Sequence, residues 1–276
     1  MRMKRLVLCM MIGVMALLAA GCAANGQLQV DFYNVGKADA MLITTPQGQR
    51  ILIDAATNDE GKQLVKRFEK EGIEAIDLMI ITHFDKDHVG GADQILENIA
   101  VGTVIMPVYD KESKQHTQFV EALEKHPPKE VYELTTGQNG TFTLPGGLAL
   151  HITAAHENYY GSDEENDFSL AVRMAYGDTK FFFAGDAENA RQKELIAEGN
   201  VACDVLKVPY HGRYENVSPM FLSEAAPKIA YIHDDKDDPA DGVVVDILEE
   251  LGAKVYCAKD DGTITVYSDG KNVWAE

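Results

Sequence analysis

Cysteine, tryptophan and basic residues are scarce in this 276-residue chain. It has four cysteines, one tryptophan and 25 lysines and arginines against 44 aspartates and glutamates, which gives a formal net charge of −19. A field of that sign repels nucleic acid and anionic lipid surfaces at long range, so nucleic acid is a possible but disfavoured partner. The chain also has no internal repeats and no linker rich in proline, serine or glycine, so we expect no chain of small modules.

Long apolar runs are confined to the amino terminus. Three basic residues precede apolar residues 6–20, a run too short to span a bilayer comfortably, and residues 1–21 are therefore predicted to be an export signal. The Leu-Ala-Ala-Gly segment before Cys22 looks like a lipobox. We predict an exported, extracytoplasmic protein anchored to the cell membrane by a lipid on Cys22, with an ordinary signal peptide as the alternative. Loss of the signal takes the formal charge to −22.

The rest of the chain is predicted to be a short tether over residues 22–27 and one domain over residues 28–276. With 46% apolar residues, the chain can build a substantial core. Two cysteines remain in the domain, Cys203 and Cys257, each beside an apolar strand-like run. They could pair in an oxidising exterior, or both could be buried thiols.

Strand and helix patterns alternate along the domain. Strands are predicted at residues 28–33, 40–44 and 51–54, and a helix at residues 58–71 follows them. A second β-rich stretch begins at residue 131 and again passes into alternating strands and helices. Two such halves, with polar loops at equivalent strand ends, predict a two-sheet core with helices outside it.

The most informative segment runs from Thr82 to Gly91, directly behind an apolar strand. It carries His83, Asp85, Asp87 and His88 within six residues. Imidazole and carboxylate groups suit Zn²⁺, Mn²⁺ or Fe²⁺, and loops held by a rigid sheet commonly carry function. The segment therefore predicts a metal site, and its Gly90-Gly91 pair is interpreted as allowing a tight turn into the next helix.

Three other polar positions follow predicted strands. Asp54 ends the segment Ile-Leu-Ile-Asp, Asp186 follows Ala-Gly after residues 179–183, and His211 lies in Pro-Tyr-His-Gly after residues 205–208. In order and approximate spacing, these segments and the metal loop resemble the metallo-β-lactamase-fold hydrolases. More narrowly, they resemble the extracellular hydrolase domain of the competence protein family ComEC, and the likeness covers nearly all of the mature chain.

The narrower likeness rests on three features. The branch opens with a Val-Gly-Gln-Gly-Asp-Ala-like loop, matched by residues 35–40. It has aspartate where the usual metal motif has its second histidine, as at Asp85, and an Asn-x-x-Ser-Leu segment, matched by residues 166–170. The resemblance implies an α/β fold, a four-layer αββα sandwich, with two divalent metal ions, Zn or Mn, at one sheet edge.

The resemblance also implies roles for single residues. It assigns His83 and Asp85 to the first metal, Asp87, His88 and His211 to the second, and Asp186 to both. His156 and Asn166 are the alternatives for a remaining ligand of the first metal. Asp87 and Asp54 are the predicted catalytic carboxylates, with Asp54 interpreted as orienting a ligand rather than touching metal.

The chain departs from the branch around the expected substrate pocket. Residues 210–213 read Tyr-His-Gly-Arg where the branch commonly has His-His-Gly-Ser, and Tyr210 and Arg213 are predicted to bind substrate. Arg213 could hold an anionic group by charge-assisted hydrogen bonds, or could be a surface loop residue. Residues 234–239 lack the histidine of a further branch segment, and His233 just upstream could substitute for it or be structural.

These observations predict a metal-dependent hydrolase, specifically a phosphodiesterase that uses a metal-bound hydroxide on a small or polymeric phosphodiester. The extra carboxylate at Asp85 favours harder metals and phosphoryl chemistry over lactamase or other amide and ester hydrolysis, which is the alternative within enzymes. A non-catalytic binding lipoprotein of the same fold is the alternative outside them. No protein partner can be inferred from the sequence.

Overall fold

The computed structural model describes residues 26–144, 147–161 and 165–276. The predicted export signal and the predicted lipid site at Cys22 lie outside these ranges. In the part of the chain that is described, no helix is long and apolar enough to cross a membrane.

Strands and helices alternate much as their sequence patterns predict. The strands are β1 (Leu28–Phe32), β2 (Met41–Thr44), β3 (Arg50–Ile53), β4 (Ala75–Ile80), β5 (Ala100–Pro107), β6 (Glu130–Leu134), β7 (Asn139–Leu144), β8 (Leu148–Thr153), β9 (Ala171–Tyr176), β10 (Thr179–Phe183), β11 (Val205–Lys207), β12 (Ile229–Ile232), β13 (Lys254–Cys257), β14 (Ile264–Ser268) and β15 (Val273–Ala275). The α-helices are α1 (Asn58–Lys70), α2 (Ala92–Asn98), α3 (Lys114–Lys125), α4 (Asn189–Glu198), α5 (Ser218–Ala225), α6 (Gly242–Glu250) and α7 (Ala258–Asp261).

Two sheets face each other. One has the strand order β15-β14-β1-β2-β3-β4-β5-β6, and the other has the order β13-β12-β11-β10-β9-β8-β7. Each sheet combines an antiparallel part with a parallel part: β3 to β6 are parallel in the first, and β10 to β13 are parallel in the second.

Three apolar clusters separate four layers. Alternate strand residues such as Ile51, Ile53 and Phe183 form the core between the sheets. A second cluster joins the outer face of the first sheet to α1, α2 and α3, with Phe68 of α1 fully buried. A third joins the second sheet to α4, α5 and α6. The predicted αββα sandwich is therefore confirmed.

Two strands were not predicted, and both lie at sheet edges. Among the described strands, β7 pairs only with β8, and β15 pairs only with β14. Gly140 weakens the strand pattern of β7, since glycine is uncommon inside strands, whereas the alternation from Thr141 to Leu144 is that of a half-buried edge strand. Cys203 and Cys257 are free, buried thiols, so the disulfide alternative is not realised.

Candidate metal centre

Polar residues meet where parallel strands of both sheets end. The loops that follow β3, β4, β10, β11 and β12 begin at the carboxyl ends of these strands, which is where open α/β sheets commonly bind ligands. Asp54, His83, Asp186, His211 and His233 come from these five loops, one from each. The fold thus brings together residues that are up to 179 positions apart in the chain.

The loop after β4 folds into one tight turn. The N–H groups of His88 and Val89 donate to Asp85 O over 3.0 and 2.9 Å, which points His88 back toward His83. The two imidazole centroids lie 4.0 Å apart, and both rings are fully buried.

Asp186 is the point on which two imidazoles converge. Its Oδ2 lies 3.2 Å from His88 Nε2 and 2.9 Å from His211 Nε2. His211 Nε2 also lies 3.6 Å from Asp87 Oδ2. Four of the six residues assigned to metal by resemblance therefore surround one point, with two carboxylates and two imidazoles in the arrangement that divalent cations favour.

The opposite edges of the same rings are held by the protein. Asp54 Oδ2 lies 2.8 Å from His88 Nδ1, and its carboxylate also accepts from Thr82 N over 2.8 Å and Thr82 Oγ1 over 2.7 Å. His211 Nδ1 lies 3.0 Å from the backbone oxygen of His233. With Nδ1 of each ring engaged by these oxygens, Nε2 is the ring nitrogen that faces Asp186, and it becomes a ligand for a cation when it gives up its proton.

Asp39 and Lys207 form a buried ion pair behind the rings. Both are fully buried, and Lys207 Nζ pairs with Asp39 Oδ2 and lies 3.3 Å from Asp186 Oδ1. Asp39, His88, Asp186 and His211 each place one ligand atom within 4.8 Å of the others. Asp39, however, faces the Nδ1 edges, at 3.8 Å from His88 and 3.6 Å from His211, and its charge is already paired with Lys207. We therefore place the candidate metal position on the Nε2 side.

The residues on this side fit a divalent cation. The Nε2 atoms of His83, His88 and His211 are buried and have no hydrogen bond of acceptable geometry among the described residues. Buried polar atoms are rarely left without partners, so three such nitrogens in one place fit the coordination of a cation. The donor set contains nitrogen and oxygen atoms only, which suits Zn²⁺ and Mn²⁺.

The electrostatics of these side chains agree with this fit. Burial opposes charge at Asp186, yet the His211 and His88 rings hold the pKa of its carboxyl well below the usual range. Burial also opposes protonation of His88, yet Asp186 and Asp39 raise its pKa well above the usual value. Burial, assisted by His88, lowers the pKa of His83 to about 4, so this ring is neutral and available to a metal at neutral pH.

Three predicted ligands of the first metal, Asp85, Asn166 and His156, contact other protein groups instead. Asp85 Oδ1 lies 2.7 Å from Lys111 Nζ, and Asn166 Nδ2 donates to Glu188 Oε1 over 2.7 Å, although Asn166 Oδ1 is buried without a partner among the described residues. His156 does not join the group.

His156 lies at the start of the loop after β8. Its backbone N–H contacts Tyr160 Oη and Glu194 Oε2, and its Nε2 lies 3.0 Å from Glu198 Oε1 on α4. The ring is thereby tied to the outer surface of the second sheet. The interpretation of His156 as a metal ligand is not supported by this position.

The predicted substrate residues lie at the rim of the centre on a strained turn. Tyr210 and His211 have φ values of 50° and 52°, a left-handed conformation that is costly for residues other than glycine. This conformation aims His211 inward. Burial, together with nearby Glu188 and Asp186, raises the pKa of Tyr210 to about 12, so it stays a phenol. Arg213 pairs with Asp238 and lies 3.5 Å from Asp241 Oδ1, so both acidic groups compete for its guanidinium.

Sequence reasoning did not assign a role to Asp39, Lys207 or Glu188. Asp39 lies in the loop that carried the resemblance, and Lys207 is a charged residue in an otherwise apolar strand, so each had a signal of its own. Glu188 follows Asp186 by two residues, and burial raises its pKa to about 7 despite the hydrogen bond from Asn166. Only the fold shows that these side chains face the centre.

An Asp54→Asn variant is expected to bind Mn²⁺ or Zn²⁺ about 10- to 100-fold more weakly. The carboxamide can still accept from Thr82, but its N–H group would donate to His88 Nδ1 and leave the ring proton on Nε2. Calorimetric titration of chelator-treated protein measures the change. Thr82→Val, which leaves the Asp54 carboxylate against His88, is expected to lose less affinity, and wild-type affinity in the asparagine variant would contradict the assignment.

Comparisons with known proteins agree with the fold. The sequence model of the family described as the Metallo-beta-lactamase superfamily matches residues 33–233. The chain is similar to ComE operon protein 3 of Bacillus subtilis (strain 168), with 25% identity over 272 residues, which cover 91% of this chain and 34% of that protein.

A second relative is Recombination protein 2 of Haemophilus influenzae, with 26% identity over 228 residues, which cover 81% of this chain and 26% of that protein. The chain thus spans only about a third and about a quarter of these two relatives.

Among solved structures, the chain is similar to Igni18, a metallo hydrolase from the hyperthermophilic archaeon Ignicoccus hospitalis. The TM-score is 0.56 at 18% identity, covering 87% of this chain and 98% of that chain. At this identity the likeness concerns the fold.

Proposed function

Since the chain belongs to the metallo-β-lactamase superfamily, a group that includes metal-dependent hydrolases, we propose that it is a metal-dependent phosphodiesterase. The observation that carries this proposal is the convergence of His88 Nε2, His211 Nε2 and Asp186 Oδ2 beside Asp87. Divalent cations held there supply positive charge that lowers the pKa of water and stabilises a developing oxyanion.

The chain's own residues keep the centre in place. Asp54 and the His233 backbone oxygen fix the orientation of His88 and His211, so that little rearrangement is needed when a cation binds. Lys207 balances part of the negative charge of Asp39 and Asp186 inside the protein. Asp186 therefore offers its Oδ2 to the metal side while Oδ1 stays with the ammonium group.

The two carboxylates of the donor set favour phosphoryl over acyl transfer. Asp87 and Asp186 add carboxylate oxygens to the three imidazoles of the centre, and oxygen donors favour harder cations such as Mn²⁺. Such cations commonly stabilise phosphate oxygens. Tyr210 and Arg213 lie at the rim, where a phenol and a guanidinium can hold the remaining phosphate oxygens by hydrogen bonds.

The proposal predicts turnover of bis(p-nitrophenyl) phosphate by the purified chain supplied with Mn²⁺ or Zn²⁺. Turnover should disappear in chelator and return when metal is restored. A chromogenic β-lactam and p-nitrophenyl acetate, assayed in parallel, should be hydrolysed far more slowly. Hydrolysis of the β-lactam or the ester but not of the phosphodiester would reject the phosphodiesterase proposal and indicate a lactamase or esterase instead. No turnover of any of the three, despite bound metal, would favour a binding protein.

We also propose that the enzyme is exported and anchored by a lipid on Cys22. The support is the sequence alone: a basic start, an apolar run and a small-residue segment before the cysteine. Cells that express the chain and are fed labelled palmitate should yield a labelled protein, and Cys22→Ala should abolish the label. Cys203→Ala is the matched control, and equal labelling of all three proteins would reject the lipid anchor.

A further inference from the structure

A cleft of about 440 Å³ opens on the outer face of the second sheet, away from the metal centre. It lies between the edge strands β7 to β9 and the carboxyl-terminal end of α4. Leu150 and Val172 point into the core between the sheets, so their neighbours His151 and Arg173, paired across β8 and β9, emerge on the opposite face. His156, which the metal centre does not use, lines the same cleft.

The floor of the cleft carries a network of charged groups. Glu198 lies 2.8 Å from Arg173 Nη2, 3.2 Å from Arg191 Nη1 and 3.0 Å from His156 Nε2. Arg191 is fully buried and also pairs with Glu194 over 2.8 Å. The charges of the two guanidinium groups and the two carboxylates balance, and the His151 imidazole is a further polar group that lines the space.

One donor in this network lacks a partner. Arg173 Nε is buried and makes no hydrogen bond within the described ranges, although an arginine side chain in a dry position normally satisfies its N–H groups. His151 Nδ1 lies 3.0 Å from Thr141 Oγ1, so a ligand would meet the other edge of that ring. The buried Nε itself is out of reach from the cleft, but an acceptor placed there would meet the part of the Arg173 guanidinium that lines the space, and the His151 imidazole.

The lining defines the chemistry of such a ligand. Guanidinium and imidazole groups together recognise carboxylate and phosphate oxygens. The carboxamides of Gln138, Asn139 and Asn200 line the cleft as well, and carboxamides both donate to and accept from hydroxyl groups. A volume of about 440 Å³ falls within the range of small-molecule sites. We propose that this cleft binds a small hydroxylated organic anion, such as a sugar phosphate or a sugar acid, with the anionic group on Arg173.

A short link joins the cleft to the metal centre. Arg191 Nη2 donates to Thr153 O and Oγ1 over 2.9 Å, and Arg191 Nε donates to Ser169 O over 3.2 Å. Ser169 Oγ accepts from Asp186 N over 3.1 Å and lies 3.3 Å from His83 Nδ1. The cleft is thus a separate site, linked to the scaffold of the centre through Arg191 and Ser169.

Calorimetric titration of the chelator-treated full chain tests the proposal, with glucose 6-phosphate, glucuronate and uncharged glucose as probes. One of the two anions should bind saturably, glucose should not, and the better anion identifies phosphate or carboxylate as the recognised group. Arg173→Gln should weaken binding about 10-fold or more, since it removes a hydrogen bond to a charged group. Asn139→Ala, a change of an exposed side chain, should weaken binding without affecting the fold.

Asp186→Asn separates the two sites. It changes the metal centre and should leave anion binding at wild-type affinity. Binding that survives Arg173→Gln and Asn139→Ala but disappears in Asp186→Asn would assign the anion to the metal centre and overturn the proposal. Absence of saturable binding of either anion at millimolar concentration would overturn it as well. Thermal melting of each variant shows whether a loss reflects unfolding.

Discussion

An Asp186→Asn variant is expected to lose its bound metal and to turn over phosphodiester at least about 100-fold more slowly than the wild type, because even residues that only support ligands cost 10- to 100-fold. Asp186 Oδ2 is the one atom in contact with both His88 Nε2 and His211 Nε2 among the described residues. Asparagine keeps the size of the side chain but removes the charge that a cation shared by these groups needs.

Metal content after dialysis and turnover of bis(p-nitrophenyl) phosphate measure this effect. Asp246→Asn, which changes an exposed aspartate on α6, is the matched control and should behave as wild type. Asp186→Asn also leaves Lys207 with less buried negative charge nearby, so the melting temperature of this variant should be recorded with its activity. Full metal content with turnover within a few-fold of wild type would remove Asp186 from the centre.

A Gly91→Ala variant is expected to lower the free energy of unfolding by about 3 kcal/mol, the upper end of the usual cost of overpacking. A methyl group at Gly91 would lie 2.2 Å from Ala55 O and 2.5 Å from Gly61 Cα. Both atoms belong to the backbone, so neither can move aside as a flexible side chain would. The melting temperature should fall by roughly 6–12 °C in a domain of this size.

Gly242→Ala is the control for this prediction. A methyl group there has no atom within 4 Å, and Gly242 is the first residue of α6, so the change should be neutral within about 0.5 kcal/mol. Thermal melting of the two variants beside the wild type gives the comparison. Equal melting temperatures for all three would mean that α1 and α2 can separate at little cost.

The same glycine shows how a sequence can identify a position for an incorrect reason. The Gly90-Gly91 pair was interpreted as supplying backbone freedom for a tight turn. Gly91 has φ −92° and ψ 0°, which any residue adopts, and the requirement is instead the absence of a side chain where α1 crosses α2. A close approach between segments 30 residues apart leaves no local pattern in a single sequence.

The layered fold could be predicted because it depends on local patterns. Alternating apolar residues identified most strands, and polar residues directly behind them identified the loops at the ends of the parallel strands. Asp54, His88, Asp186 and His211 meet because those ends lie together in both sheets. The parallel arrangement converts positions at strand ends into neighbours in space.

Pairings between distant loops could not be predicted in the same way. Lys111 reaches Asp85 from a loop 26 residues away, and Lys207 reaches Asp39 across 168 residues. His156 has the residue type and the loop setting of a ligand, yet Glu198 on α4 binds it on the outer face of the sheet. Such outcomes depend on which of several charged partners the packing brings within reach.

The direction of β1 has a consequence for how the enzyme would be oriented at a cell surface. This strand runs from Leu28, at the end of the first sheet that is remote from the metal centre, to Phe32, at the end that is near the centre. There Phe32 pairs with Met41. At the remote end, Gly26 O accepts from Tyr176 Oη over 3.0 Å. The proposed lipid on Cys22 would therefore hold the domain by its far end, with the strand's length of about 17 Å between that end and the candidate metal centre. The face that carries the centre would look outward, toward molecules that arrive from the surroundings, and the head groups of the anchoring membrane would lie behind it.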